Sequence, residues 1–298
     1  MAEAVVERVR APWVPWVLLA VGVVGASISA ILIVYAQEAH PLAISFWRCA
    51  AGAAVLAPFA PRAVSKMTAR QFRLPAAAGV FLALHFATWI TSLELTTVAA
   101  SVLLVTSSPA FVAVIAWWLL KERLQGIAWV GIVATIVGAG LVAGGNLSGS
   151  ALSGNMLALI GAVTVGGYML AGQESRRQLG IIEYSVITYG VAALVLLPAC
   201  LVVGADLGGY ESQTWWALAG LLIGPQLLGH TVLNFVVKDF GATTVAVAVM
   251  AEPLIAAVLA FMLFGEVPSV LAYPGGAAIL LGIYLVSTRR KPPRVVVE

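Results

Sequence analysis

Charge is scarce in this sequence. Asp, Glu, Lys and Arg make up 10% of its 298 residues, against about 25% in soluble domains. That scarcity excludes a water-soluble globular chain. The formal net charge of +3 is too small and too scattered for a nucleic-acid surface; its sign follows from the way membrane proteins orient. Cysteine is nearly missing: Cys49 and Cys200 lie in apolar runs of different halves, which excludes a disulfide framework and a cysteine metal site. Histidine occurs three times, and neither His-Glu-x-x-His nor Gly-x-Ser-x-Gly is present. An intramembrane enzyme would need such a constellation, so no catalytic residue, metal or cofactor is expected.

What remains is apolar. Hydrophobic residues make up 61% of the chain and the mean hydropathy is +1.02. After Trp13 the first run continues for about 22 residues, longer than a secretory h-region, and reads as a retained membrane span. Ten runs can cross a ~30 Å hydrocarbon core: about 13–35, 41–60, 72–92, 97–120, 126–145, 154–173, 183–203, 214–236, 241–264 and 269–288. Pro41, Pro75 and Pro268 fall where helices start, a position that costs no backbone bond.

Two stretches nearly repeat each other. Val105 to Val142 aligns without a gap on Val249 to Val286, pairing Pro109 with Pro253, Glu122 with Glu266, Gly131 with Gly275 and Gly138 with Gly282. The earlier spans match more weakly, Ser45 on Ser185 and Pro58 on Pro198. The chain divides into residues 1–148 and 149–298, five spans each. Placing the amino terminus in the cytoplasm puts fifteen of the sixteen Lys and Arg residues in cytoplasmic segments, as the positive-inside rule requires. Both termini are then cytoplasmic, and an odd number of spans per half inserts the second half upside down. The expected fold is all-α and integral to the membrane: ten transmembrane helices as two inverted five-helix repeats around a central cavity, an architecture typical of secondary transporters.

Pro109 and Pro253 lie near the middle of the fourth and ninth spans, where proline kinks a helix or frees polar backbone. Corresponding interruptions in both halves point to a transport site; a packing kink is the plainer reading. Arg48, the sixteenth basic residue, and Glu252, beside Pro253, are intramembrane charges. They either serve a solute or a proton, or form a structural pair. Gln226, His230 and Asn234 are spaced by four on one helical face, and His85, Thr88, Trp89 and Ser92 share another. Such stripes either join helices or line a wet cavity. Thr106, Ser107 and Ser108, with Tyr168 and Met250, would complete a lining suited to a neutral or zwitterionic organic molecule. Seven tryptophans lie near span ends, where indoles anchor at the interface; Trp47 and Trp89 are deeper. Gly131, Gly138 and Gly140 against Gly275, Gly276 and Gly282 make narrow helix faces. The fifth and tenth spans should therefore pack together in one chain, taken as a monomer, although a homodimer face would read the same.

The run from Pro109 through Glu122 to Gly131 and Gly138 recurs as Glu252-Pro253-Leu254, Phe264-Gly265-Glu266 and Leu281-Gly282-Ile283. This pattern resembles the EamA repeat of the drug/metabolite transporter superfamily, and in particular its YddG-like bacterial amino-acid exporters. The resemblance implies a bacterial inner-membrane protein with a cavity formed by the first, third, fourth, sixth, eighth and ninth spans, opening alternately to either side. It adds Ser27 as the first span's contributor. Multidrug members of the superfamily carry a glutamate in their first span; here that span is apolar, which removes proton antiport by that route. The expected function is export of small organic metabolites, amino acids foremost, with lipophilic-cation export as the alternative. The expected partners are lipid and solute.

Overall fold

The computed structural model describes residues 11–60, 67–119, 121, 124–142, 152–264 and 270–287. Glu122, Glu266 and Pro268 lie outside them. Among the described residues every regular element is helical: α1 (Val14–Ser27), α2 (Ser29–Tyr35), α3 (Pro41–Leu56), α4 (Ala69–Leu95), α5 (Val98–Thr106), α6 (Ser108–Leu119), α7 (Gly126–Val142), α8 (Leu152–Ser175), α9 (Ile181–Val203), α10 (Ser212–Leu221), a π-helical stretch (Leu222–Thr231), α11 (Val232–Val249), α12 (Glu252–Phe264) and α13 (Ala272–Ser287), with a 3-10 turn after α3. Seven helical stretches are long and apolar enough to cross a bilayer, with Gly126–Leu141 and Ala272–Ser287 as shorter apolar helices. Large apolar side chains such as Leu194 and Val202 stand on the outside, where in water they would be a liability and in lipid they are solvated.

The helix ends follow local chemistry. Pro41 opens α3 behind His40, whose Nδ1 accepts from the Leu42 N–H at 3.2 Å. Thr68 and Gln71 form a reciprocal capping box at α4. The cap sits upstream of the expected start, so Pro75 falls inside α4 rather than at its beginning. Thr97 caps α5 by accepting from Ala100 N–H at 3.1 Å, and Gly204 closes α9 in the left-handed region at φ 68°.

Several expected spans are discontinuous. The first breaks at Ile28, between α1 and α2, with no proline to cause it. The fourth breaks at Ser107 and the ninth at Met250 and Ala251. Each break lies just before its proline, and Ser107 and Ala251 are the same position of the repeated stretch. Between the eighth and ninth runs the expected loop near Lys238 is helical. The chain turns on Gly241 alone, at φ 72° and ψ 160°, a conformation that glycine adopts without steric cost.

Packing is closest where side chains are missing. α4 lies on α8 and α9, α3 on α9, α1 on the π-helical stretch, and α7 on α13. At the last contact backbones touch: a Cβ on Gly282 would lie 2.4 Å from the Gly131 carbonyl oxygen, and one on Gly138 would lie 2.6 Å from that of Gly275. Four of the six glycines expected there, Gly131, Gly138, Gly275 and Gly282, thus pair within the chain, while Gly140 faces Leu103 and Gly276 faces Leu254. The seven tryptophans near span ends are exposed, Trp47 is half-buried and Trp89 is buried.

Candidate solute cavity

A cavity of ≈ 60 Å³ lies where the broken helices converge, room for a few water molecules. Its wall comes from six stretches: Ala26 and Ser29; His85 and Trp89; Val105, Thr106 and Ser108; Val165, Tyr168 and Met169; Pro225 through Val237 in part; and Val245, Val249 and Glu252.

Aromatic rings form its body. His85 stacks on Trp89 one turn along α4, with centroids 5.8 Å apart and planes within 7°. His230 meets His85 at 6.4 Å, Phe86 at 5.2 Å and Tyr168 at 5.7 Å, each edge-on. The two histidines, from different halves, thus share one cluster. His85 Nδ1 lies 2.9 Å from the Gly161 carbonyl oxygen; a carbonyl only accepts, so this nitrogen carries the proton. Asn234 donates from Nδ2 to the Tyr168 hydroxyl and to the His230 carbonyl, the latter at 2.6 Å. The indole N–H of Trp89 is buried without a partner.

The helix breaks add polar backbone. Proline has no N–H, so Pro109 and Pro253 deprive the carbonyls of Val105 and Val249 of their ordinary donors. Both valines are in the wall. Ser108 and Glu252, one residue before each proline, are there too. About two turns beyond Asn234 the break at Gly241 is tied to α8, the Ala242 N–H donating to Gln173 Oε1 at 2.5 Å.

Other expected residues lie off the wall for visible reasons. Ser27 donates to the Val23 carbonyl at 2.7 Å; the break at Ile28 places Ser29 in the wall instead. Thr88 donates to Leu84 O at 2.7 Å and sits at the α4–α8 contact, where a Cβ on Gly161 would meet its hydroxyl. Ser107 donates to Leu104 O at 2.6 Å within the break. Met250 is wholly buried with Ala139 and Ile279, away from the cavity. Gln226 is wholly buried but outside the wall, because π-helical winding takes an extra residue per turn and carries it off the face shared by His230 and Asn234. Pro109 and Pro253 are buried beside the wall. Arg48 lies behind it, and no salt bridge joins Arg48 to Glu252; the ion pair seen among the described residues is Arg177 with Glu174, at 3.1 Å.

Apolar spanning helices, paired breaks and a small aromatic cavity define a multi-pass membrane transport protein. The chain belongs to the EamA-like transporter family, whose pattern it matches at residues 11–144 and again at 152–288. It is 27% identical over 190 residues to a probable terminal-alkyne amino-acid exporter of Streptantibioticus cattleyicolor, covering 63% of each chain. A solved structure described as "Crystal structure of protein" aligns with a TM-score of 0.77 at 17% identity, over 92% of this chain and 96% of that one. At that identity the likeness is one of fold alone.

Proposed function

We propose that the protein exports small organic metabolites, amino acids foremost, across the bacterial inner membrane by alternating access around this cavity. The observation that carries the reading is the wall itself: six helical stretches, several of them interrupted, converge on two histidines, Trp89, Tyr168, Asn234 and one carboxylate. Ring faces and a few fixed hydrogen-bonding groups suit an organic zwitterion better than a bare ion. Family membership supports transport, and the name of the Streptantibioticus relative supports an amino-acid cargo.

In this reading ten spans form two inverted five-helix repeats, residues 1–148 and 149–298, with both termini cytoplasmic. The double family match supports that division, as does the crossed contact in which Gly131 meets Gly282 and Gly138 meets Gly275. His85, Trp89, Thr106, Tyr168, His230 and Asn234 contact the solute; Pro109 and Pro253 are the hinges. The chain works as a monomer, since its glycine faces are already paired.

Lipophilic-cation export is the second reading, favoured by Glu252 in the wall. Counterflow in liposomes with labelled L-amino acids and cationic dyes, with and without a pH gradient, separates the two. Amino-acid flux indifferent to the gradient is the expected result; dye flux without amino-acid flux would establish the second reading instead. If His85→Ala and Tyr168→Ala both leave the flux untouched, the cavity is not the solute's path.

A further inference from the structure

Among the described residues Arg48 is the largest fully buried side chain, 1% exposed on α3. Its Nη1 donates to Ser29 Oγ at 3.2 Å, and its Cζ lies 4.1 Å from the centroid of the Phe86 ring. Nε and Nη2 have no partner. A guanidinium offers five N–H donors in a fixed fork, and here most of the fork is unused.

One turn further along α3 lies a second unsatisfied group. Gln226 is 0% exposed, and neither its amide oxygen nor its amide nitrogen has a partner. It packs against α3 one turn from Arg48: a Cβ on Gly52 would lie 3.1 Å from Gln226 Cγ. Tyr189, on the other side of Gly52, is already committed, its hydroxyl 2.8 Å from Thr231 Oγ1.

Both groups lie one residue behind the wall of the solute cavity. Ser29, which holds Arg48, is in the cavity wall; Phe86, under the guanidinium, rests on the wall residue His230; Pro225, next to Gln226, is also in the wall. A buried guanidinium with idle N–H groups and no carboxylate in contact, although Glu252 is close enough to act on its charge, and a buried amide with no partner are both strongly unfavourable. A cation–π contact with Phe86 alone would not require an idle fork or an idle glutamine. Carboxylate is the ligand that matches two parallel N–H donors and a neighbouring amide N–H.

We propose that Arg48 and Gln226 form the carboxylate subsite of the transported solute, reached by displacing Ser29, while Glu252 in the wall receives the solute's ammonium group. Opposite charges that do not touch one another then complement a zwitterion, and the pair selects α-amino acids over simple amines and cationic drugs. The inference rests on the transport reading of the same cavity.

The test is calorimetric titration of the full-length protein in nanodiscs with 4-methylpentanoate and its neutral amide, and with leucine and leucinamide, beside leucine counterflow in liposomes. Wild type should bind each carboxylate at least about tenfold more tightly than its amide, as a charged hydrogen-bonded pair requires. Arg48→Gln should abolish that preference while amide binding stays within about twofold of wild type, and Gln226→Leu should reduce it. Arg48→Lys should keep part of it, because charge remains without the fork. Equal binding of acid and amide by wild type, or an undiminished preference in Arg48→Gln, would overturn the subsite. If Arg48→Gln does not yield monodisperse protein, an unchanged preference in Gln226→Leu overturns it instead. Failed counterflow with the carboxylate preference intact would remove the transport reading and leave the subsite standing.

Discussion

His85 has one orientation because its Nδ1–H meets the Gly161 carbonyl, leaving Nε2 as the acceptor of a neutral ring. Tyr168 is fixed in the same way by Asn234. Removing that hydroxyl in Tyr168→Phe keeps the ring and leaves the Asn234 amide with the His230 carbonyl alone. A hydrogen bond of this kind is worth about 1 kcal/mol net, so the half-saturating solute concentration should rise roughly fivefold with little change in maximal flux, as read from concentration-dependent counterflow. Glu252→Gln removes a charge but not a shape. It should weaken amines and amino acids by at least about tenfold and leave the dependence of flux on pH as in wild type; a flattened pH profile would make Glu252 a proton carrier. At this scale the sequence was legible where helical winding is regular. His230 and Asn234 are one turn apart on a face, as their spacing says, whereas the π-helical stretch turns Gln226 off that face and Ser29 replaces Ser27 in the wall across a break that no proline marks. Period counting assumes a constant turn, and transport sites are where helices depart from it.

Breaks before Pro109 and Pro253 are the chief departure at the scale of elements. Alanine at either site restores an N–H and removes a steric clash, a combination worth up to about 3 kcal/mol within a helix. Pro109→Ala and Pro253→Ala should therefore raise the melting temperature in detergent and slow counterflow several-fold, the double variant more than either single one; unchanged flux would reduce both breaks to packing kinks. Helix contacts make the opposite prediction. Gly282→Ala forces a Cβ to within 2.4 Å of the Gly131 carbonyl oxygen and 2.5 Å of Thr135 Cγ2, a clash costing about 1–3 kcal/mol. Gly190, inside α9, has nothing within 4 Å of a Cβ, and Gly190→Ala should be neutral or slightly stabilising. Thermal unfolding of the two variants side by side decides this. Both prolines and both glycine faces were readable from the repeat. The inward position of Pro75 was not, because the capping box at Thr68 moved the start of α4 upstream.

For the whole molecule, the Lys and Arg partition predicts which loops face which side. Cys49 and Cys200 are buried, so a cysteine placed at Ser148 or in the loop 204–211 should be labelled in intact cells by an impermeant maleimide, over a low background. One placed at Gln178 should be labelled only after the membrane is opened. Equal labelling at all three positions would undo the ten-span arrangement. The seven helical stretches long enough to cross were legible from apolar length, a quantity that a bilayer imposes on any sequence crossing it. The cavity could be located but not shaped from the sequence, since its wall depends on which way each broken helix resumes.

The backbone contact between α7 and α13 contributes no residue to the cavity wall. If the wall binds the cargo, as proposed, cargo and scaffold can change separately. The two copies of the repeat already record this: Gly131 with Gly275 and Gly138 with Gly282 are unchanged, while Thr106 faces Met250 and Ser108 faces Glu252 in the alignment. A lineage can acquire a new cargo through substitutions in the wall alone, and its descendants should differ most at those positions and least at the glycines.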